Sequence, residues 1–191
     1  MTRRPDTLES QRAEFASSPF LAMPIAGAIA WAAIGVAGAL LPVPLAAWAL
    51  FIGTGMIFSL GLLVARFTGE DLMGKARPGN TFDALFLRSV VMAWLVFAIA
   101  IPFFRLEPTS LPLTAGILAG LMWLPFGWII QHWVGTFHAV TRTVLSLAAW
   151  YAWPDRRFVA IPAVIVAIYV ITILALRRRY VALIGADQQV A

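Results

Sequence analysis

Residues 19–64 read PFLAMPIAGAIAWAAIGVAGALLPVPLAAWALFIGTGMIFSLGLLV, without a single Asp, Glu, Lys or Arg. A helix rises ~1.5 Å per residue, so about 20 apolar residues cross the ~30 Å hydrocarbon of a bilayer. This stretch is long enough for two crossings. Pro42 and Pro44 near its middle mark a tight turn, because proline cannot donate the backbone hydrogen bond that would continue a helix. The reading is two membrane helices, 19–41 and 44–65, and it sets the expectation for the rest of the chain.

Four further apolar segments follow, at 84–104, 111–133, 135–153 and 158–176. The sequence therefore predicts an all-α polytopic transmembrane bundle with six spans. Residues 1–18 form a cytoplasmic N-terminal segment, 19–176 the membrane domain and 177–191 a cytoplasmic tail. The composition agrees: 61% of residues are hydrophobic and 12% charged, where a soluble domain carries about 25% charged residues. Mean hydropathy is +0.86. The polar opening MTRRPDTLESQRAEF lacks the apolar core of a cleaved signal, so the first span is expected to be retained.

Basic residues cluster at the segment ends, and cytoplasmic loops carry the excess of Lys and Arg. An even number of spans places Arg3, Arg4, Arg12, Arg66, Lys75, Arg77, Arg88 and Arg177–Arg179 on one side, against Arg105, Arg156 and Arg157 on the other. Both termini and the 66–83 loop are accordingly expected in the cytoplasm. The net charge of +5 is explained by this asymmetry. No basic stripe interleaved with stacking aromatics points to nucleic acid. The absence of cysteine excludes disulfides and thiolate chemistry.

The segment QHWVGTFHAVTRTVLS (131–146) concentrates polar groups: Gln131, His132, Thr136, His138, Thr141, Arg142 and Ser146. His138, Arg142 and Ser146 recur every fourth residue and share a helix face. Trp150, Tyr151 and Trp153 mark the outer interface, which puts Arg142 roughly 15 Å deep, near the midplane. An arginine there costs roughly 2.5–3.5 kcal/mol even on the lenient insertion scale. No acidic residue lies inside a predicted span to offset it. Its partner is either an anionic ligand, held by the guanidinium fork, or backbone carbonyls freed by Pro24, Pro102, Pro125 and Pro162 together with Thr and Ser hydroxyls. The candidate ligand-binding residues are Arg142, His138, His132, Gln131, Thr141 and Ser146. The two histidines lie at different depths beside one turn, which disfavours a haem, and zinc lacks a third strong ligand. No cofactor and no metal are expected.

Other features have structural readings. Thr68 and Asp71 resemble a capping pair that opens a short helix. Gly116, Gly120, Gly127, Gly53, Gly55, Ser59 and Gly61 read as packing sites, since small residues let helices approach closely in lipid. Pro125 should kink the fourth segment. The uncharged turn at 131–135 is either very tight or part of a re-entrant stretch. Gly27, Trp31 and Gly35 loosely echo Gly120, Trp123 and Gly127, a faint sign of an inverted repeat. There is no phosphate loop, zinc-protease helix or nucleophile elbow.

The stretches GLLVARFTGEDLMGK (61–75) and LTAGILAGLMWLPFGWIIQHWVGTFHAVTRTVLSLAAWY (113–151) resemble a family of small bacterial integral membrane proteins known only as a domain of unknown function. The resemblance covers about Leu45 to Arg178. It implies a bacterial inner-membrane location and supplies neither an activity nor site residues.

Three functions compete. The first is small-solute transport or ligand binding, for an anionic or proton-coupled solute at Arg142 and His138. The second is a non-catalytic membrane scaffold or accessory subunit. The third is a lipid-modifying enzyme built on Glu70, Asp71, His132 and His138. A non-enzymatic role is favoured. The expected partners are the lipid bilayer, a small anionic ligand and a second copy of the chain.

Overall fold

The computed structural model describes residues 7–190, with side chains to residue 186. Arg3 and Arg4, counted above toward the cytoplasmic side, lie outside the described residues. The described residues are mostly helical, with no strand. The helices are α1 (Leu8–Ala16), α2 (Ala22–Leu40), α3 (Val43–Gly55), α4 (Ile57–Thr68), α5 (Thr81–Leu95), α6 (Phe97–Leu106), α7 (Leu111–Gly120), α8 (Trp123–Ile129), α9 (Val134–Ala152) and α10 (Arg157–Val190).

The breaks follow from local chemistry. Pro42 caps α3 in an extended conformation and turns the chain after α2. Between α3 and α4 the axis bends by 49°. There the Thr54 hydroxyl bonds back to Leu50 O at 2.7 Å and Gly55 offers no side chain to hold the helix straight, both recognised sources of bending. Gly69 ends α4 in the left-handed conformation (φ 70°). The helix interruption at Leu121–Met122 sits one turn before Pro125, whose ring excludes the carbonyl at position 121.

The 131–135 turn is tight and does not re-enter the bundle. Gln131 N–H donates to Trp128 O and His132 N–H to Gly127 O, with Gln131 in the left-handed region at φ 50°. This paired bonding closes a helix end in a single residue. It is normally glycine's position, and a side chain there costs roughly 1–2 kcal/mol. The tight return is matched by contact between Gly127 and Gly135: a Cβ on Gly127 would meet Gly135 Cα at 2.7 Å.

The helices pack side by side, and side-chain contacts tie the chain together at two ends of the bundle. At one end Arg77 Nη1 donates to Ser18 Oγ at 2.8 Å, Arg179 donates to the carbonyls of Ala16 and Ser18, and Phe20 packs edge-on against Phe126 at 5.1 Å. At the other end Arg157 Nη1 donates to Thr109 Oγ1 at 2.7 Å and the guanidinium lies over Trp150. Four stretches are long and apolar enough to cross a membrane: Ala22–Leu40, Thr81–Leu106, Pro108–Ile129 and Pro154–Ala186. The bent pair α3–α4 makes a fifth. The 19-residue α9 is not among them; it carries the polar cluster that lowers its hydropathy. Large apolar side chains such as Leu40, Phe67, Leu106 and Trp128 stand exposed around the bundle, as a surface solvated by lipid requires.

The N-terminal segment is more than a polar tail. Phe15 is buried against Phe20 at 4.9 Å and against Phe82 at 6.4 Å. Asn80 donates to Gln11 O and to Glu14 Oε2, both at 2.9 Å. Arg77 clamps Asp83 through Nε and Nη2 at 2.9 and 2.8 Å, the bidentate geometry that a guanidinium favours. No helix opens at Thr68–Asp71, contrary to the capping-pair reading. Gly69 has already ended α4, and the Asp71 carboxylate accepts from Met73 N–H and Ala76 N–H to shape a turn. The Ala76 amide is the main reason its pKa lies below the usual carboxylate value. At the other terminus α10 continues past Arg177–Arg179 to Val190, so the described part of the predicted tail is helix.

Candidate functional site

The face His138–Arg142–Ser146 of α9 is buried as one strip, with exposures of 0%, 2% and 0%. It faces α10, α7 and α2. His138 Nδ1 lies 2.8 Å from Thr172 Oγ1. The Thr172 hydroxyl donates to Ile168 O at 2.8 Å, so its oxygen is left to accept from His138 Nδ1–H. The Nε2 lone pair then accepts from Arg142 Nη1 at 3.4 Å, a long contact for this bond type. The same Nη1 donates to Tyr169 Oη at 3.2 Å. The chain Arg142–His138–Thr172–Ile168 thus runs in one direction and is satisfied by a neutral imidazole.

Aromatic rings close the cluster. The Trp123 ring stacks on His138 at 4.2 Å and 18°. The Arg142 guanidinium lies 5.2 Å from the Trp31 ring and 5.6 Å from the Tyr169 ring, within cation–π range. Trp31 and Trp123, the two tryptophans of the loose echo, both meet this cluster. Glycines make the room. A Cβ at Gly27 would stand 2.5 Å from the Tyr169 ring, and one at Gly120 would stand 2.8 Å from Arg142 Cδ. Gly116, Gly53 and Gly61 also pack against other helices, whereas Gly55 meets nothing within 4 Å and is not a packing site.

Arg142 has no carboxylate partner. Among the described residues the ion pairs are Arg12–Glu9 and Arg77–Asp83. Nor is it bonded to a carbonyl freed by a proline; its bonds go to side chains. Its Nε has no hydrogen-bond partner, and neither does Ser146 Oγ. Buried donors left in this way cost roughly 1–3 kcal/mol each.

Arg142 and Tyr169 form the inner end of a cleft of about 100 Å³ between α2, the α3–α4 bend, α5 and α7–α8. Phe20, Phe126 and Glu70 line its other end. From Met23 to Trp31 the lining follows α2 for ~12 Å. Glu70 Oε1 accepts from Leu21 N–H and Ala22 N–H, both at 2.8 Å, and so caps α2 from a distance. Its Oε2 is buried without a partner. Burial outweighs these bonds and raises the carboxyl above its ordinary pKa. The α5–α6 stretch on this side is the least buried of the four long apolar stretches.

The remaining candidates lie apart from the cluster. His132 caps the start of α9, accepting from Val134 N–H at 3.3 Å. Its pKa is lowered by burial and, secondarily, by the Arg179 charge. Gln131 is exposed in the turn, and Thr141 is half-buried, off the buried strip. Sequence reasoning passed over Tyr169 and Thr172. The available signal was two hydroxyls three residues apart inside the otherwise apolar AIPAVIVAIYVITILAL (160–176).

The architecture is that of an all-helical bundle with membrane-compatible spans and a polar cluster buried inside it at the wall of a cleft. The chain belongs to a family of unknown function, DUF7010, whose model matches residues 9–179. No curated protein and no solved structure matches it.

Proposed function

We propose that this is a multi-pass protein of the bacterial inner membrane, with six spans and cytoplasmic termini, that binds or transports a small anionic solute in the cleft beside Arg142. The observation that carries the reading is the state of Arg142. It is a buried cation at the centre of a helix, facing a cleft, with no carboxylate and with Nε unpartnered. Such a group supplies a charge-assisted bond to an anion at little further ordering cost. Glu70, at the other end of the cleft, is the titratable group placed to couple a proton to that anion.

A scaffold role has one observation in its favour: Nη1 is held by Tyr169 and His138, as a structural lock would be. The lipid-modifying reading has less support. Asp71 is engaged in its own turn, His132 caps α9, and His138 bonds Thr172.

The test uses the absence of native cysteine. Ala119→Cys, on the cleft wall, should react with a small aqueous thiol reagent, and Ala139→Cys, buried in the helix packing, should not. Arg142→Lys and Arg142→Met should retain a folded bundle. No labelling at 119, together with collapse of both arginine variants, would leave the scaffold reading.

A further inference from the structure

We infer that the cleft's ligand is a small aromatic monocarboxylate, such as a phenyl ring on a short acid. This rests on the anion-binding reading above and names its substrate class.

Size comes first. One water needs roughly 10–15 Å³ measured this way, so a cleft of about 100 Å³ admits a ligand of roughly ten non-hydrogen atoms. A two-chain lipid is several times too large.

The wall decides the body of the ligand. Trp31, Trp94, Trp123, Phe58, Phe97 and Phe126 line the cleft, and rings pack favourably edge-on or offset against such surfaces. The wall offers little to a sugar acid or a phosphate ester. The hydroxyls of Thr54 and Ser89 are already donated to Leu50 O at 2.7 Å and Leu85 O at 3.0 Å. Arg142 is the single cation among the described residues that line the cleft, so it balances one acid group.

The guanidinium decides where that group sits. Both hydrogen bonds of Arg142 leave from Nη1, and Nε is unpartnered. Nε is itself buried, so Nη2 is the nitrogen left to donate to a carboxylate.

The experiment measures thermal stabilisation and tryptophan fluorescence of the full chain in lipid nanodiscs. The probes are phenylacetate, hexanoate, nitrate and phenethylamine. Phenylacetate should bind saturably, hexanoate more weakly, and phenethylamine not at all. Ala119→Phe, which puts a ring into the cleft from its α7 wall, should weaken phenylacetate roughly tenfold or more, as should Arg142→Lys. If Arg142→Lys does not fold, Ala119→Phe decides alone. Binding unaffected by Ala119→Phe, or hexanoate binding as well as phenylacetate, overturns the inference. Nitrate binding without phenylacetate binding overturns it and leaves the anion reading standing. No binding of either anion removes both.

Discussion

Gly120 leaves the space that the Arg142 side chain fills: a methyl group at position 120 would stand 2.8 Å from Arg142 Cδ and 3.0 Å from Nε. The small-residue motif on α7 is therefore a seat for a charged side chain as well as a helix contact.

Gly120→Ala should push Arg142 off Tyr169 and destabilise the bundle by about 1–3 kcal/mol, the usual cost of overpacking. Gly55→Ala, into open space, should be neutral to within about 1 kcal/mol. Thermal unfolding of the two variants in one detergent checks the contrast. Equal melting points would mean that α7 does not hold Arg142.

Thr172→Val keeps the shape of the side chain and removes the oxygen that accepts from His138. An imidazole N–H left buried without a partner should cost about 1–3 kcal/mol. Thr172→Ser restores the oxygen and should recover most of the loss. If Val and Ser behave alike, the hydrogen-bond chain from Arg142 to Ile168 does not stabilise the fold.

Glu70 makes a pH-dependent contribution with a definite sign. Its carboxyl is raised above the ordinary 4.5 by burial, so the folded state binds the proton more tightly than the unfolded chain. Stability from this group is fully present below 4.5 and is lost as pH rises through the folded-state value. Glu70→Gln keeps an oxygen for Leu21 N–H and Ala22 N–H and should abolish that part of the slope. The measurement is the difference in melting temperature between wild type and variant across pH 4–8. Neighbouring Asp71, Arg77 and Asp83 cancel in this difference. A constant difference would contradict the assignment.

The topology has its own test. Reporter fusions at Val43, Glu107 and Asp155 should report the outer side, because the connections at those positions share the bundle end opposite Ser18 and Arg179. A cytoplasmic signal at Asp155 would remove a span between α8 and α10 and sink the six-span arrangement.

Charge-free length and helical period are local properties, so the sequence alone determined the helical class, the turn at Pro42, the break before Pro125 and the shared face of His138, Arg142 and Ser146. It did not determine where α10 ends. Arg177–Arg179 read as a terminus because apolar character stops there, yet arginine is a good helix former and leaving an apolar environment does not by itself break a helix. Nor did it reveal what Arg142 meets. Tyr169 and Trp31 reach it because Gly27 lets α2 and α10 close to near contact, and His138 is oriented by Thr172 from a different helix. Gln131 and His132 are close to the cluster in sequence, but the left-handed turn at Gln131 ends α8 and leaves both in the connection, outside the buried strip. Partners on separate helices are chosen by interhelical distance and side-chain direction, and no periodicity within one segment encodes either; only the packed bundle decided them.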